Sequence, residues 1–179
     1  MKKALYTFTI LVFLLSCIGN NSEYKNDAES GASKKTDIHY WKEKNLTNIK
    51  QLSFGGDNAE AYFSFDDKKL VFQLKNTELG IDCDQIFVLD YKNHNMYDSL
   101  PTMVSTGNGR TTCSYFMPGD TTVIYASTHL GNLNCPEEPT KREDGAYVWP
   151  IYQDFDIFVT DLKGNIIQQL TSEPGYDAE

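Results

Sequence analysis

A chain of 179 residues carrying 16 basic and 25 acidic side chains has a net charge of −9. It lacks the basic surface that replaces the counterions of a nucleic acid, which excludes nucleic-acid binding as its task. With 40% hydrophobic residues it has enough apolar surface for one domain with its own core.

The first stretch stands apart from that domain. Met1-Lys2-Lys3 is a short basic start, and Ala4 to Leu15 is apolar apart from Tyr6 and two threonines. An apolar run of about 7–15 residues behind a basic start is the pattern of a secretory leader, too short to span a bilayer. Leu14-Leu15-Ser16-Cys17 resembles the bacterial lipobox, where cleavage precedes a cysteine that becomes diacylated. The expectation is a lipoprotein signal over residues 1–16 and lipidation at Cys17. Ile18, in place of aspartate, fits sorting to the outer membrane, facing the periplasm or the surface. Loss of Lys2 and Lys3 leaves 14 basic against 25 acidic residues, a net charge of −11. A domain so charged is repelled by an anionic membrane surface and held there through its lipid only. Residues 17–45, rich in Asn, Ser, Lys, Asp, Glu and Gly, read as a lipid-anchored flexible tether.

From residue 46 onward the chain reads as short strands separated by turns. Strands are predicted over Ile49–Phe54, Ala59–Phe65, Leu70–Leu74, Ile86–Tyr91, Ser114–Met117, Val123–Ser127, Ile157–Leu162 and Ile166–Leu170. These segments are rich in Val, Ile, Phe, Tyr and Thr and are bounded by Gly, Asp, Asn and Pro. No stretch of helical length carries an apolar stripe, so the expected fold class is all-β.

The chain also repeats itself. Tyr62-Phe63-Ser64-Phe65-Asp66-Asp67-Lys68-Lys69-Leu70-Val71-Phe72 aligns without a gap on Tyr115-Phe116-Met117-Pro118-Gly119-Asp120-Thr121-Thr122-Val123-Ile124-Tyr125. Gln85 to Asp90 matches Asp156 to Asp161, and Gln51-Leu52-Ser53 matches Gln169-Leu170-Thr171. A four-stranded unit recurring at roughly 40–60 residues is the pattern of a β-propeller blade. Phe63 to Phe72 resembles the WD-like blade motif of TolB-type propellers, with Asp67 in place of the turn glycine and Phe65 in place of the proline. Ile157 to Thr171 resembles the same family's third-to-fourth strand hairpin with its Asp-x-x-Gly turn. The lipobox brings the chain nearer to the lipid-anchored TolB-like proteins of Bacteroidetes-type bacteria. The resemblance implies a partial propeller over residues 46–179: a first blade at about 59–106, a second at about 110–171, and a third opening at 176–179. On that reading the chain is the N-terminal fragment of a larger propeller, since two blades cannot close a ring.

Export implies an oxidising compartment, so Cys83, Cys113 and Cys135 are expected to supply one disulfide and one thiol, with the pairing left open. In a blade all three fall on one face. The same face carries a long insertion, Asn132 to Gln153. Its expected behaviour is to fold over the sheets and bury its aromatic residues; the rival is a contact loop for a protein or glycan. Asp82, Asp84, Arg110 and His129, with Tyr147, Trp149 and Tyr152 of the insertion, are the candidate partner-binding residues. Asp82 and Asp84 alone fall short of the six to eight oxygens of a Ca²⁺ site, so no metal or cofactor is expected. No G-x-S-x-G or H-E-x-x-H motif is present, and Gly107 to Thr112 leads into a strand where a phosphate loop needs a helix. The expected function is that of a non-catalytic envelope scaffold with protein partners, of the Tol-Pal type by resemblance. The alternatives are a propeller that orients substrate for a downstream hydrolase domain, or a glycan-binding surface lipoprotein.

Overall fold

The computed structural model describes residues 38, 40–94, 96, 99–146 and 148–178. The predicted leader, Cys17, most of the tether and Tyr147 lie outside the described residues. The described chain is all-β, as its β-branched and aromatic alternation requires. One antiparallel sheet contains β1 (Asp57–Phe63), β2 (Leu70–Asn76), β3 (Ile81–Leu89) and β4 (Thr102–Met103), in that order. A second repeats the order with β5 (Thr111–Phe116), β6 (Thr122–Ser127), β7 (Asp154–Asp161) and β8 (Ile166–Gln169). A short β9 (Gly175–Tyr176) adds to β7 in parallel. The two sheets do not close a ring.

Two expectations need correction. Ile49–Phe54 forms no strand; instead Leu52 packs on an apolar face of sheet one. The two-residue β4 was not predicted, because a strand so short carries no alternation to read.

The repeat seen in the sequence holds at the level of single backbone conformations. In the β1–β2 turn, Ser64 N–H bonds Lys69 O and Asp67 N–H bonds Ser64 O; in the β5–β6 turn, Met117 N–H bonds Thr122 O and Asp120 N–H bonds Met117 O. Asp67 (φ 53°) and Asp120 (φ 56°) occupy the same left-handed position, which Asp tolerates better than most residues. Glu60 (φ 51°) and Cys113 (φ 46°) are likewise equivalent, each sitting where the register slips in the first strand of its sheet. Before each first strand a glycine is forced. A Cβ on Gly56 would lie 2.3 Å from Lys75 O, and one on Gly109 2.7 Å from Thr128 Oγ1.

Strand alternation gives each sheet two faces. Val71, Ile86, Val88 and Val104 of sheet one pack against Phe116, Val123, Tyr125 and Phe158 of sheet two. Full burial of such side chains stabilises by about 1.5–3 kcal/mol each, so this layer dominates the fold. The equivalents of Phe116, Val123 and Tyr125 in sheet one are Phe63, Leu70 and Phe72, on its opposite face. There Leu70, Phe72, Leu74, Phe87 and Leu89 are covered by Leu52, Tyr91 and Met96. The contact is therefore head-to-tail: unlike faces of like sheets meet. The far face of sheet two carries Tyr115, Ile124, Ile157 and Val159, the equivalents of Tyr62, Val71, Ile86 and Val88. Val71 and Ile86 are fully buried, whereas Ile124 and Ile157 are only half-buried, beside a cavity of about 440 Å³.

Candidate functional site

β6 and β7 are joined by a long strap, residues 132–153. Its two ends meet closely, since a Cβ on Gly131 would lie 2.5 Å from the Asp154 side chain. A disulfide joins Cys83 in β3 to Cys135 in the strap, over a sequence separation of 52. This is the pairing that spacing left open; Cys113 stands outside it, at the β5 register slip.

Arg110 is the hub beneath the strap. Its backbone is placed by both sheets. Gln85, 2% exposed, donates to Gly109 O at 3.0 Å and accepts from Gly107 N–H at 3.1 Å, which fixes the connector leading in. Arg110 N–H donates to Thr128 Oγ1 at 2.9 Å, and Thr111 Oγ1 donates to Asp84 O at 2.9 Å. The guanidinium, on a side chain 10% exposed, hydrogen bonds Glu138 of the strap and lies 3.5 Å from Asp84 Oδ2. The Tyr152 ring centre lies 5.7 Å from its Cζ, and Tyr152 Oη in turn donates to Glu137 O at 2.6 Å. Lys75, at the end of β2, approaches the same Glu138 oxygen to 3.8 Å. Burial works against the Arg110 charge, but the hydrogen bond and charge of Glu138 outweigh it, and the Arg110 pKa is raised. Glu138 is held below the usual carboxylate range, first by its Arg110 hydrogen bond and then by the charges of Arg110 and Lys75.

The predicted site residues thus separate into groups. Asp84, Arg110 and Tyr152 come together. Asp82 is exposed and joins none of these contacts. His129, 6% exposed, is turned into the protein: its Nδ1 lies 2.9 Å from Ser127 Oγ and its ring 4.4 Å from Phe158. Ser127 is fully buried as well. Trp149 corrects the expectation that the strap buries its aromatic residues. It is 57% exposed, with Nε1 donating to Tyr176 Oη at 3.0 Å, while Tyr152 is half-buried. Leu133 and Ile151 of the strap are more exposed still.

Glu138 and Lys75 escaped the sequence reading. Both sit in stretches that read as ordinary surface charge, and only the fold brings them to Arg110. The one available signal was that an insertion opening on Cys135 had to be anchored near its start. Among the described residues no group of three or more His, Cys, Asp or Glu side chains is arranged to hold a metal, and no helix among them is long and apolar enough to cross a membrane. Comparison of the chain with protein-family models, with curated proteins and with solved structures finds no match.

Proposed function

We propose that the two sheets are blades of a TolB-like β-propeller, and that the protein is a non-catalytic binding module of the cell envelope, tethered through a lipid on Cys17. Its contact surface for other envelope proteins is the strap. The observation that carries this reading is the contrast between how firmly the strap is held and what it displays. A disulfide, an Arg110–Glu138 ion pair and the Tyr152–Glu137 hydrogen bond fix it. Yet Leu133, Trp149 and Ile151 stand 66%, 57% and 65% exposed. Large apolar side chains fixed in water are what an interface uses as anchors, because their ordering cost is already met before binding.

The blade reading draws its support from the head-to-tail packing. A unit whose one face fits the other face of its copy adds further copies by the same contact. The row of exposed Tyr115 and half-buried Ile124 and Ile157 then receives the aromatic face of a further blade.

Replacing Leu133, Trp149 and Ile151 together by serine tests the strap. In cells treated with a general crosslinker, the wild-type protein should run in discrete higher-mass complexes, and the strap variant should lose them while keeping a cooperative melt. Complexes unchanged by the replacement would place the contact surface elsewhere.

A further inference from the structure

Two cations from different parts of the fold converge on one carboxylate oxygen of the strap. Arg110 Nη2 hydrogen bonds Glu138 Oε1, and Lys75 Nζ lies 3.8 Å from the same atom. Behind them stands one fixed carboxylate, Asp84, 3.5 Å from Arg110 Nε. That Nε is buried and makes no hydrogen bond among the described residues. With Glu138 in place, two positive and two negative groups balance. Without it, a largely buried guanidinium and a partly buried ammonium face a single anion, a costly arrangement that draws another in. Such a positive site is conspicuous in a chain of net charge −9. Glu138 itself is 57% exposed, so its carboxylate can leave while the strap stays attached through Cys135.

We propose that Arg110 and Lys75 form a carboxylate-binding site, and that Glu138 is its tethered occupant, displaced when a ligand carboxylate enters. This deepens the reading of the strap as a contact surface by naming the chemistry of the group it accepts. The ligand is a monoanion: Asp84 leaves room for one further negative charge, and the dianion of a phosphate would meet its repulsion. The planar guanidinium suits a carboxylate, and the Tyr152 ring, 5.7 Å from Arg110 Cζ, forms an apolar wall beside it. A peptide C-terminus or an acidic side chain of a partner protein has this chemistry. The tether gives Glu138 an effective concentration on the order of millimolar, so a small carboxylate competes weakly against it.

The test uses N-acetylglycine, a mimic of a peptide C-terminus, with N-acetylglycinamide as the uncharged control. Binding is read by NMR from the Arg110 side-chain Nε–H in the oxidised, full-length protein at constant ionic strength. Glu138→Gln should bind N-acetylglycine at least tenfold more tightly than the wild type, and Lys75→Gln in that background should weaken it again by at least threefold. The amide should not bind. Equal response of wild type and Glu138→Gln, or an equal response to the amide, overturns the proposal. If Glu138→Gln does not fold, the wild type decides. With the probe well above millimolar, the Glu138 carboxyl ¹³C resonance should move toward that of an unpaired carboxylate, and an unmoved resonance overturns the proposal. Crosslinked complexes that depend on the strap in the absence of carboxylate binding would remove this ligand class alone and leave the contact-surface reading standing.

Discussion

Glu60 and Cys113 occupy the same position of the two sheets, and one holds the other: the Glu60 carboxylate accepts the Cys113 backbone N–H at 3.1 Å, across a separation of 53 residues. The same separation relates Tyr62 to Tyr115, whose rings meet edge-on at 5.4 Å. The Asp120 carboxylate accepts N–H groups from Phe65 and Asp66 in the turn that contains Asp67, its own equivalent. At these three places one sheet touches its counterpart, or the turn around it, in the other. These contacts form a ladder between the two sheets, beside the apolar layer.

The Asp120 rung is the most separable part of the ladder. Asp120→Asn keeps a residue that tolerates positive φ but replaces the charged pair of acceptors with a single neutral one, and should cost about 1–2 kcal/mol. Asp67→Asn, at the equivalent position, should cost under about 0.5 kcal/mol, the usual range for a surface change. Urea unfolding of the two variants checks the difference.

Gly109 has a backbone reason to be glycine. Its φ is 63°, and a Cβ would lie 2.8 Å from His129 N and 2.7 Å from Thr128 Oγ1. Gly109→Ala should destabilise by about 2 kcal/mol or more, combining strain with displacement of the Arg110 backbone. Gly145→Ala, also at positive φ (74°) but with open space around it, should cost about 1 kcal/mol. Thermal melts of the pair separate steric from conformational cost.

The buried His129 gives the fold an acid sensitivity. Burial lowers its pKa below 6.5, and the charge of Asp156 opposes this only in part. The folded state therefore favours the neutral ring. The stabilisation is complete above the unfolded pKa and is lost as pH falls below about 6.5 toward the lower folded value, because the unfolded chain takes up the proton first. Midpoints of denaturant unfolding between pH 7.5 and 5.5 should fall for the wild type and fall less for His129→Gln.

Reducing the Cys83–Cys135 bond should lower stability by about 2–4 kcal/mol, since it closes a loop of more than fifty residues in the unfolded chain. Cys135 is exposed, so mild reductant reaches it without unfolding. Hydrogen exchange after reduction should quicken across residues 133–146 and stay slow in β2, β3 and β6.

How much of this the sequence carried depended on range. The hairpins were legible because Tyr62 to Phe72 and Tyr115 to Tyr125 alternate aromatic and β-branched residues around a polar turn, a local signal. The all-β class followed from the same signal. Ile49–Phe54 looked like a strand for the same reason, but it pairs with neither sheet, and Leu52 serves as a cover instead. The left-handed positions of Glu60 and Cys113 were not legible, since neither is Gly or Asn and the register slip they create is set by the partner strand. At the site, Arg110, Asp84 and Tyr152 were legible as members of one face. The role of Glu138 was not, because it depends on where the Cys83–Cys135 bond pins the strap. Trp149 was expected to be covered, yet its indole finds Tyr176 Oη at the surface and stays in water.

The most direct test of the strap as the contact surface is photo-crosslinking in the cell from single positions. A photoreactive phenylalanine analogue is placed at Trp149, on the strap, or at Ile167, on the outer strand β8, which is equally exposed at 57%. The strap position is predicted to give a discrete crosslinked product with an envelope protein, and the β8 position to give none. Products of equal yield from both positions, or from Ile167 alone, would contradict it.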